Sequence, residues 1–375
     1  MSCNIQEVVL ESARVGESTI RSAECMPSGN NGPWNDDETP IRNTSHWGVT
    51  LAHAADVTNE DKFLKAAERC SSYLISEPVR PYGHTFHHRR SYNKDSCNGL
   101  IGQAWTIEAL VQLGVQIDDQ RLLDLAEQIF ELHTFEPTFC GWHAVDIDGQ
   151  QLGYHFTLNQ QIWFAAVGAK IASVRNNRRI EEQVQRFLHA LPSLMARLPN
   201  GPIYHSVVPN SDFRKYVKYV VKNIRRKRIP DPLLHRFRSE YRTKIRRRSI
   251  GYHSFILYGL AMLHKEYPFH EFWTSDIVRE IRDYTRSEHF LEATLNNKFC
   301  YTYNCTGIEV AYWEHEVWSE PKRVREWASR QFRKCYNLET GLMDRSPHDP
   351  TTLAARIYEA IRLPDIEIDI KVERS

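Results

Sequence analysis

The sequence predicts an all-α fold, an (α/α)6 toroid in which six inner helices form a ring and six outer helices wrap it. Three observations carry this prediction. Two kinds of helical segment alternate along the chain, one amphipathic and one apolar on most sides, the latter the pattern of a helix buried all round. The apolar kind starts near residues 46, 98, 159, 252, 307 and 351, an approximate long period with one oversized gap. Strand signals are few. An open α-solenoid is the alternative arrangement of the same elements.

Composition agrees with a globular chain. Of 375 residues, 41% are hydrophobic and 25% charged, which excludes disorder and low complexity. No apolar run approaches the roughly 20 residues of a membrane span. The start MSCNIQEVVLESARVG has neither a basic region nor an apolar core, so no secretory signal is read there. Eight Cys with no CxxC pair exclude a disulfide scaffold and a zinc ribbon. A reduced, cytoplasmic, single-domain protein over 1–375 is expected, with no cofactor and no metal.

In order, a helix within the first 24 residues supplies one outer element. The inner segment 45–57 follows, then an amphipathic helix over 59–76, with Asn59 as its N-cap and Phe63, Ala66, Ala67, Cys70 and Leu74 on its apolar face. Inner 98–114 pairs with outer 118–133, and inner 157–175 with outer 178–197. Inner 250–266 pairs with outer 270–288, and inner 306–317 with outer 320–336, capped by Ser319. Inner 350–362 closes the set, and IEIDIKV (366–372) alternates like a strand or an extended arm.

In such a ring the inner helices run parallel, so their N-terminal ends meet on one face. Polar and aromatic residues gather at those ends. Trp34, Asp36, Asp37, Arg42, His46 and Trp47 belong to the first. His84, His87, His88, Arg89, Arg90, Asp95 and Asn98 belong to the second, with Trp105 further along it. His155, Asn159, Gln160 and Trp163 mark the third, and Tyr252 and His253 the fourth. Tyr301, Tyr303, Asn304 and Glu309 mark the fifth, and Asp344, Arg345, His348 and Asp349 the sixth. Each has a structural reading: Asp349 before Pro350 is a cap, Asp95 and Asn98 can be caps, and tryptophans at helical spacing are usually core. Glu108 and Glu309 within apolar helices need partners or a function. The 9 Trp, 17 Tyr and 17 His also fit a sugar site, where rings stack and polar groups bond hydroxyls.

The stretch Asn159-Gln160-Gln161-Ile162-Trp163-Phe164-Ala165-Ala166, with Gly251-Tyr252-His253-Ser254-Phe255 later, resembles toroid polysaccharide lyases of the alginate lyase and heparinase type. More loosely, Tyr303-Asn304-Cys305-Thr306-Gly307-Ile308-Glu309-Val310 is similar to toroid sugar epimerases and glycoside hydrolases. Gln160 stands where the lyase pattern has a His. The resemblance implies C5 proton abstraction on a uronate-containing saccharide, as a lyase or an epimerase in cell-surface polysaccharide metabolism. Asn159 and Gln160, with Arg42, would then neutralise the carboxylate, His253 would act as base, and Tyr252 or Tyr303 as acid. Arg42, His46, Trp47, His87, Arg89, Asp95, Asn98, Trp105, Trp163, Asn304 and His348 would bind substrate. Hydrolysis by two carboxylates among Asp36, Asp37, Asp95, Glu108, Glu309 and Asp349 is the rival, and a non-catalytic glycan-binding toroid is the third reading.

The oversized gap holds a basic segment, 212–248. Residues 213–248 carry 15 Lys/Arg against Asp231 and Glu240, a net charge of +13 that the whole-chain value of +1 conceals. Two amphipathic helices separated by Pro230 and Pro232 are expected there. The segment, with Lys218, Lys222, Arg225, Arg226, Lys227, Arg228, Arg246, Arg247 and Arg248, has three open roles. It can rest on an anionic membrane surface, guide an anionic saccharide, or pack on the body or on a second copy of the chain as a homo-oligomer. No nucleic-acid recognition motif is present.

Overall fold

The computed structural model describes residues 2–198, 201–207, 221 and 239–370. The toroid is built as expected. The inner helices are α2 (Ile41–Thr58), α4 (Gly99–Gln116), α6 (Leu158–Arg175), α8 (Ser239–Glu266), α11 (Thr306–Glu316) and α13 (Pro350–Ala355), the last continued as a 3-10 helix over Arg356–Arg362. Outside them lie α1 (Ile5–Arg21), α3 (Asp61–Leu74), α5 (Gln120–Leu132), α7 (Arg178–Leu194), the pair α9 (Asp276–Thr285) and α10 (Glu288–Leu295), and α12 (Pro321–Cys335). Each inner helix packs on the next, and the 356–362 turn packs back on α2, so the ring closes. Strand β1 (Ser2–Asn4) pairs antiparallel with β5 (Glu367–Asp369), in register Cys3 to Ile368, and joins the two ends of the chain.

The local signals hold with identifiable exceptions. In α3, Phe63, Ala66, Ala67, Cys70 and Leu74 are buried as the 3.6-residue period requires. Asn59 is not the N-cap of α3. It adopts φ 55° and ends α2, a conformation Asn tolerates better than most residues. Ser319 also takes a positive φ, of 52°, and Glu320 is the residue before α12. The outer layer over 270–288 is broken into a short 3-10 turn, α9 and α10 rather than one helix.

Two differences bear on function. The fourth inner helix does not begin near 250 but runs unbroken from Ser239, so Arg246, Arg247 and Arg248 belong to an inner helix. The basic residues Lys218, Lys222, Arg225, Arg226, Lys227 and Arg228, and both prolines, lie outside the described residues. The second difference is a three-stranded antiparallel sheet, β2 (Phe135–Glu136), β3 (Gly141–Val145) and β4 (Gln151–Tyr154), which the helical reading missed. Its signal was Asp148-Gly149, a hairpin pair in which Gly149 takes φ +85°. Gln161 on α6 locks the sheet in place, accepting from the Trp142 N–H at 2.9 Å and donating to the Trp142 carbonyl at 2.9 Å. No helix among the described residues is long and apolar enough to cross a membrane.

Candidate active site

A cavity of about 950 Å³ opens where the inner helices begin. Five of the six inner-helix regions line it: the loop before α2, the loop before α4, the β4–α6 junction, the middle of α8 and the loop before α11. The sixth contributes indirectly. Asp349 caps α13 by accepting from the Thr352 N–H at 3.0 Å, and its other oxygen accepts from the Asn30 and Gly32 amides at 2.9 and 3.2 Å. One residue thus caps a helix and pins the loop that carries Asn31 and Trp34.

One wall is ion-paired. Asp36 is 3% exposed and takes Lys94, the Asn31 amide at 2.9 Å and Arg89 at 3.7 Å. Asp95 accepts from Arg89 Nη2 at 2.8 Å and from the Gly99 N–H at 2.7 Å. Burial alone would raise its pKa, but the Arg89 charge and the Gly99 amide outweigh burial and hold it below the ordinary carboxylate value. Arg42 pairs with Glu38 at 3.2 Å and lies 4.0 Å from the Trp105 ring. Asn98, in the left-handed region, accepts from Arg89 Nη1 at 3.1 Å.

The opposite wall carries no carboxylate among the described residues. On α8, Arg248, Tyr252 and Phe255 recur at i, i+4 and i+7, so one helix face presents all three to the cavity. Trp34 Nε1 donates to the Tyr252 hydroxyl at 2.9 Å, and the Tyr252 and Tyr303 hydroxyls are 3.3 Å apart. Tyr303 donates to Asn31 Oδ1 at 2.9 Å, so between the two tyrosines Tyr252 is the donor. Burial raises both phenol pKa values, which makes them proton donors rather than bases near neutral pH. His205 also lines this side, while His155 lies beside Gly99 and Asp95. Arg248 Nη1 lies 3.4 Å from His205 Nε2, and because a guanidinium only donates, Nε2 is the acceptor.

Asn159 and Gln160 reach the cavity from the first turn of α6. Gln160 also serves α4: its Oε1 accepts from the Leu100 and Ile101 amides at 2.9 and 3.3 Å, capping that helix across the ring. Its Nε2 has no partner among the described residues. The approach is close enough that a Cβ at Gly99, where φ is +59°, would meet that oxygen at 2.4 Å.

Of the expected site residues, the cavity gathers Tyr252, Tyr303, Asn159, Gln160, Arg42, Arg89, Asp95, Asn98, Trp105 and Asn304. It does not gather His253. Residues adjacent on a helix point about 100° apart, so with Tyr252 facing the cavity His253 faces the outer layer. There it accepts from the Ile203 N–H at 3.2 Å and lies 2.9 Å from Thr285 Oγ1, fully buried, and burial pushes its pKa down to about 3. His46 is stacked on Tyr358 at 4.2 Å with its pKa well lowered by burial, and Trp47 packs against Gly16 of the outer layer. Trp163 stacks on Phe255 at 4.6 Å and is core. His87 and His348 do not line the cavity, and Arg246 turns to His289 at 2.9 Å. Arg247 is exposed, while Arg248, expected at a membrane or polyanion surface, is a cavity residue.

The buried carboxylates are also accounted for. Glu309 pairs with Arg356 at 2.6 Å and accepts from Ser254 at 2.6 Å, Glu359 shares that arginine, and Glu108 is held by Arg362. Asp37 is exposed beside Arg90. Missed by sequence reasoning were Asn31, Lys94, His205 and the rest of the Leu152–Phe156 segment around His155, which the sequence had marked. His205 carried no helical or motif signal. Its place depends on Thr157 bridging to Ser206 and on the Leu158 amide reaching the His205 carbonyl at 2.8 Å.

Known proteins share this architecture and, in one case, much of the sequence. The chain is 41% identical over 367 residues to archaeal glycosylation protein Q of Haloferax volcanii, a match spanning 97% of this chain and 99% of that protein. Among solved structures it is similar to cellobiose 2-epimerase from Bacillus thermoamylovorans B4167, with a TM-score of 0.63 at 10% identity, covering 96% and 98% of the two chains. It is similar to a D-mannose isomerase, with a TM-score of 0.61 at 11% identity and coverage of 96% and 97%. It is also similar to an inactive variant of the α-1,6-mannanase of Salegentibacter sp. HEL1_6 in complex with a mannotetrose, with a TM-score of 0.57 at 10% identity and coverage of 94% and 98%. At such identities these likenesses establish the toroid fold alone. No family model matches the chain.

Proposed function

The chain belongs to the archaeal glycosylation protein Q family, and on that premise we propose that it is a carbohydrate-active enzyme of glycan metabolism that moves a proton on an anionic, uronate-type saccharide held in the cavity. One observation carries this reading: His155, His205 and Tyr252 share the cavity, while Asp36 and Asp95, the carboxylates lining it among the described residues, are committed to cations. An imidazole titrates near neutral pH and suits C–H proton transfer. Here it would take the proton beside the sugar carboxylate. The charge that develops on that group would be met by Gln160 Nε2 and Asn159. Returning a proton to the opposite face gives an epimer, and losing the neighbouring substituent gives a lyase product.

Hydrolysis is the second reading, favoured by Asp36 and Asp95 both facing the cavity. It needs one carboxyl protonated as general acid, and the lowered pKa of Asp95 opposes that role. The test is turnover of uronate-containing oligosaccharides in deuterated water, read by mass spectrometry. Deuterium entering the sugar ring (an epimerase) or an unsaturated sugar lighter by one water than the hydrolysis product (a lyase), with a loss of about 100-fold or more in His155→Ala or His205→Ala, is the expected result. New reducing ends with neither ring deuterium nor an unsaturated sugar, abolished in Asp95→Asn, would replace it with hydrolysis. Saccharide binding without any turnover would make the chain a glycan-binding toroid.

A further inference from the structure

We propose that Arg248 is the residue that reads the acidic group of the substrate, pairing with a sugar carboxylate beside Trp34; the assignment rests on the saccharide reading above. Among the described residues four cations line the cavity, and three have carboxylates of their own: Arg42 has Glu38 at 3.2 Å, Arg89 has Asp95 at 2.8 Å, and Lys94 has Asp36. Arg248 has no carboxylate partner among the described residues. Its guanidinium lies 4.7 Å from the Trp34 ring centroid, and its polar neighbour is His205 Nε2 at 3.4 Å.

The side chain is half-buried, and a partly desolvated guanidinium over an aromatic face recovers only part of its lost hydration from the ring. Among the described residues three carboxylates answer these four cations, which leaves one positive charge at the cavity without a carboxylate. The planar fork matches a carboxylate bidentately. A phosphoryl group, carrying more charge, would call on helix amides as well, but the first amides of α4 are already taken by Asp95 and Gln160. Arg248 also stands one helical turn before Tyr252, about 6 Å along the same face. A carboxylate held there brings its neighbouring carbon toward the Tyr252 hydroxyl and His205.

The experiment is calorimetric titration of the full chain with methyl glycosides of glucuronate, galacturonate and mannuronate, with their neutral parents, and with glucose 1-phosphate. The wild type is expected to bind at least one uronate about tenfold or more tighter than its neutral parent. Arg248→Gln should lose about 10- to 100-fold for that uronate and stay within about twofold for the parent, with Arg248→Lys between them. An unchanged uronate-to-neutral ratio in Arg248→Gln overturns the assignment, as does tighter binding of the phosphate than of any uronate. Equal wild-type affinity for acid and parent defeats it while leaving the saccharide reading intact. No binding of any sugar defeats both.

Discussion

At the mouth of the ring, Arg89 and Lys94 hold Asp36 and Asp95 beside a cavity of about 950 Å³, and at its base Arg356 and Arg362 hold Glu309, Glu359 and Glu108 in the packed interior. Both are networks of cations and carboxylates, and the surroundings differ. At the base every member is 6% exposed or less apart from Arg362, and Arg356 spends its donors on Glu309, Glu359, the Tyr303 carbonyl at 2.6 Å and Asn304 Oδ1 at 3.2 Å. Burial raises the pKa of Glu359, Glu309 and Glu108 against the pull of their arginines. That network positions the cavity floor by fixing Asn304, and it offers nothing to a ligand. At the mouth, two imidazoles, a phenol and a guanidinium with no carboxylate partner among the described residues face the cavity. A charged residue inside a toroid is therefore a weak sign of chemistry until its partners are known.

Breaking the base should cost the most. Arg356→Met leaves two buried carboxylates sharing no cation, and a loss of about 3–5 kcal/mol is expected in chemical denaturation. A loss below about 1 kcal/mol would show that the base is solvated and does not differ in kind from the mouth. The next test concerns His253, buried between the layers. His253→Gln should lower stability by about 1–3 kcal/mol, through its bonds to Ile203 and Thr285, while turnover per folded molecule is retained.

His253 also carries a pH signature. Burial lowers its pKa from 6.5 to about 3, with His88 likewise near 3 and His133 near 4. These histidines are held neutral in the folded state while the unfolded chain protonates them. Their contribution is present in full above about pH 6.5 and is lost as pH falls toward 3. Each steepens the acid slope by up to about 1.4 kcal/mol per pH unit, and His253→Gln should remove one such share between pH 6 and 4. An unchanged slope would mean that water reaches the ring. The smallest effect belongs to the mouth: Lys94→Met, at a side chain 39% exposed, should change stability by less than about 1 kcal/mol. A larger loss would place Asp36 and Lys94 among the structural pairs.

The architecture was legible because it is a matter of period. A buried helix must be apolar on all sides and an outer one on one side, and that alternation is written in order along the chain. Helix caps were less legible. Asp349 before Pro350 caps as its sequence implies, whereas Asn59 ends one helix instead of starting the next, because Asn both caps helix starts and tolerates the left-handed region that ends them. The site was legible by segment and not by residue. Tyr252 and His253 are adjacent, and at the opening of a helix both could face a ligand. Within the continuous helix from Ser239 only one can.

The ring, the alternation of its layers and the end of the ring where polar groups collect are written into the order of residues, because these follow from burial averaged over many positions. Tertiary structure decided which of those groups face the cavity and which are spent on one another. Partner choice depends on distances between segments far apart in the chain, such as Gln160 to Leu100, Arg356 to Glu309 and Arg248 to Trp34. No local pattern encodes those meetings. They consumed the carboxylates that the sequence offered to chemistry and set His155, His205, Tyr252 and Arg248 around the cavity.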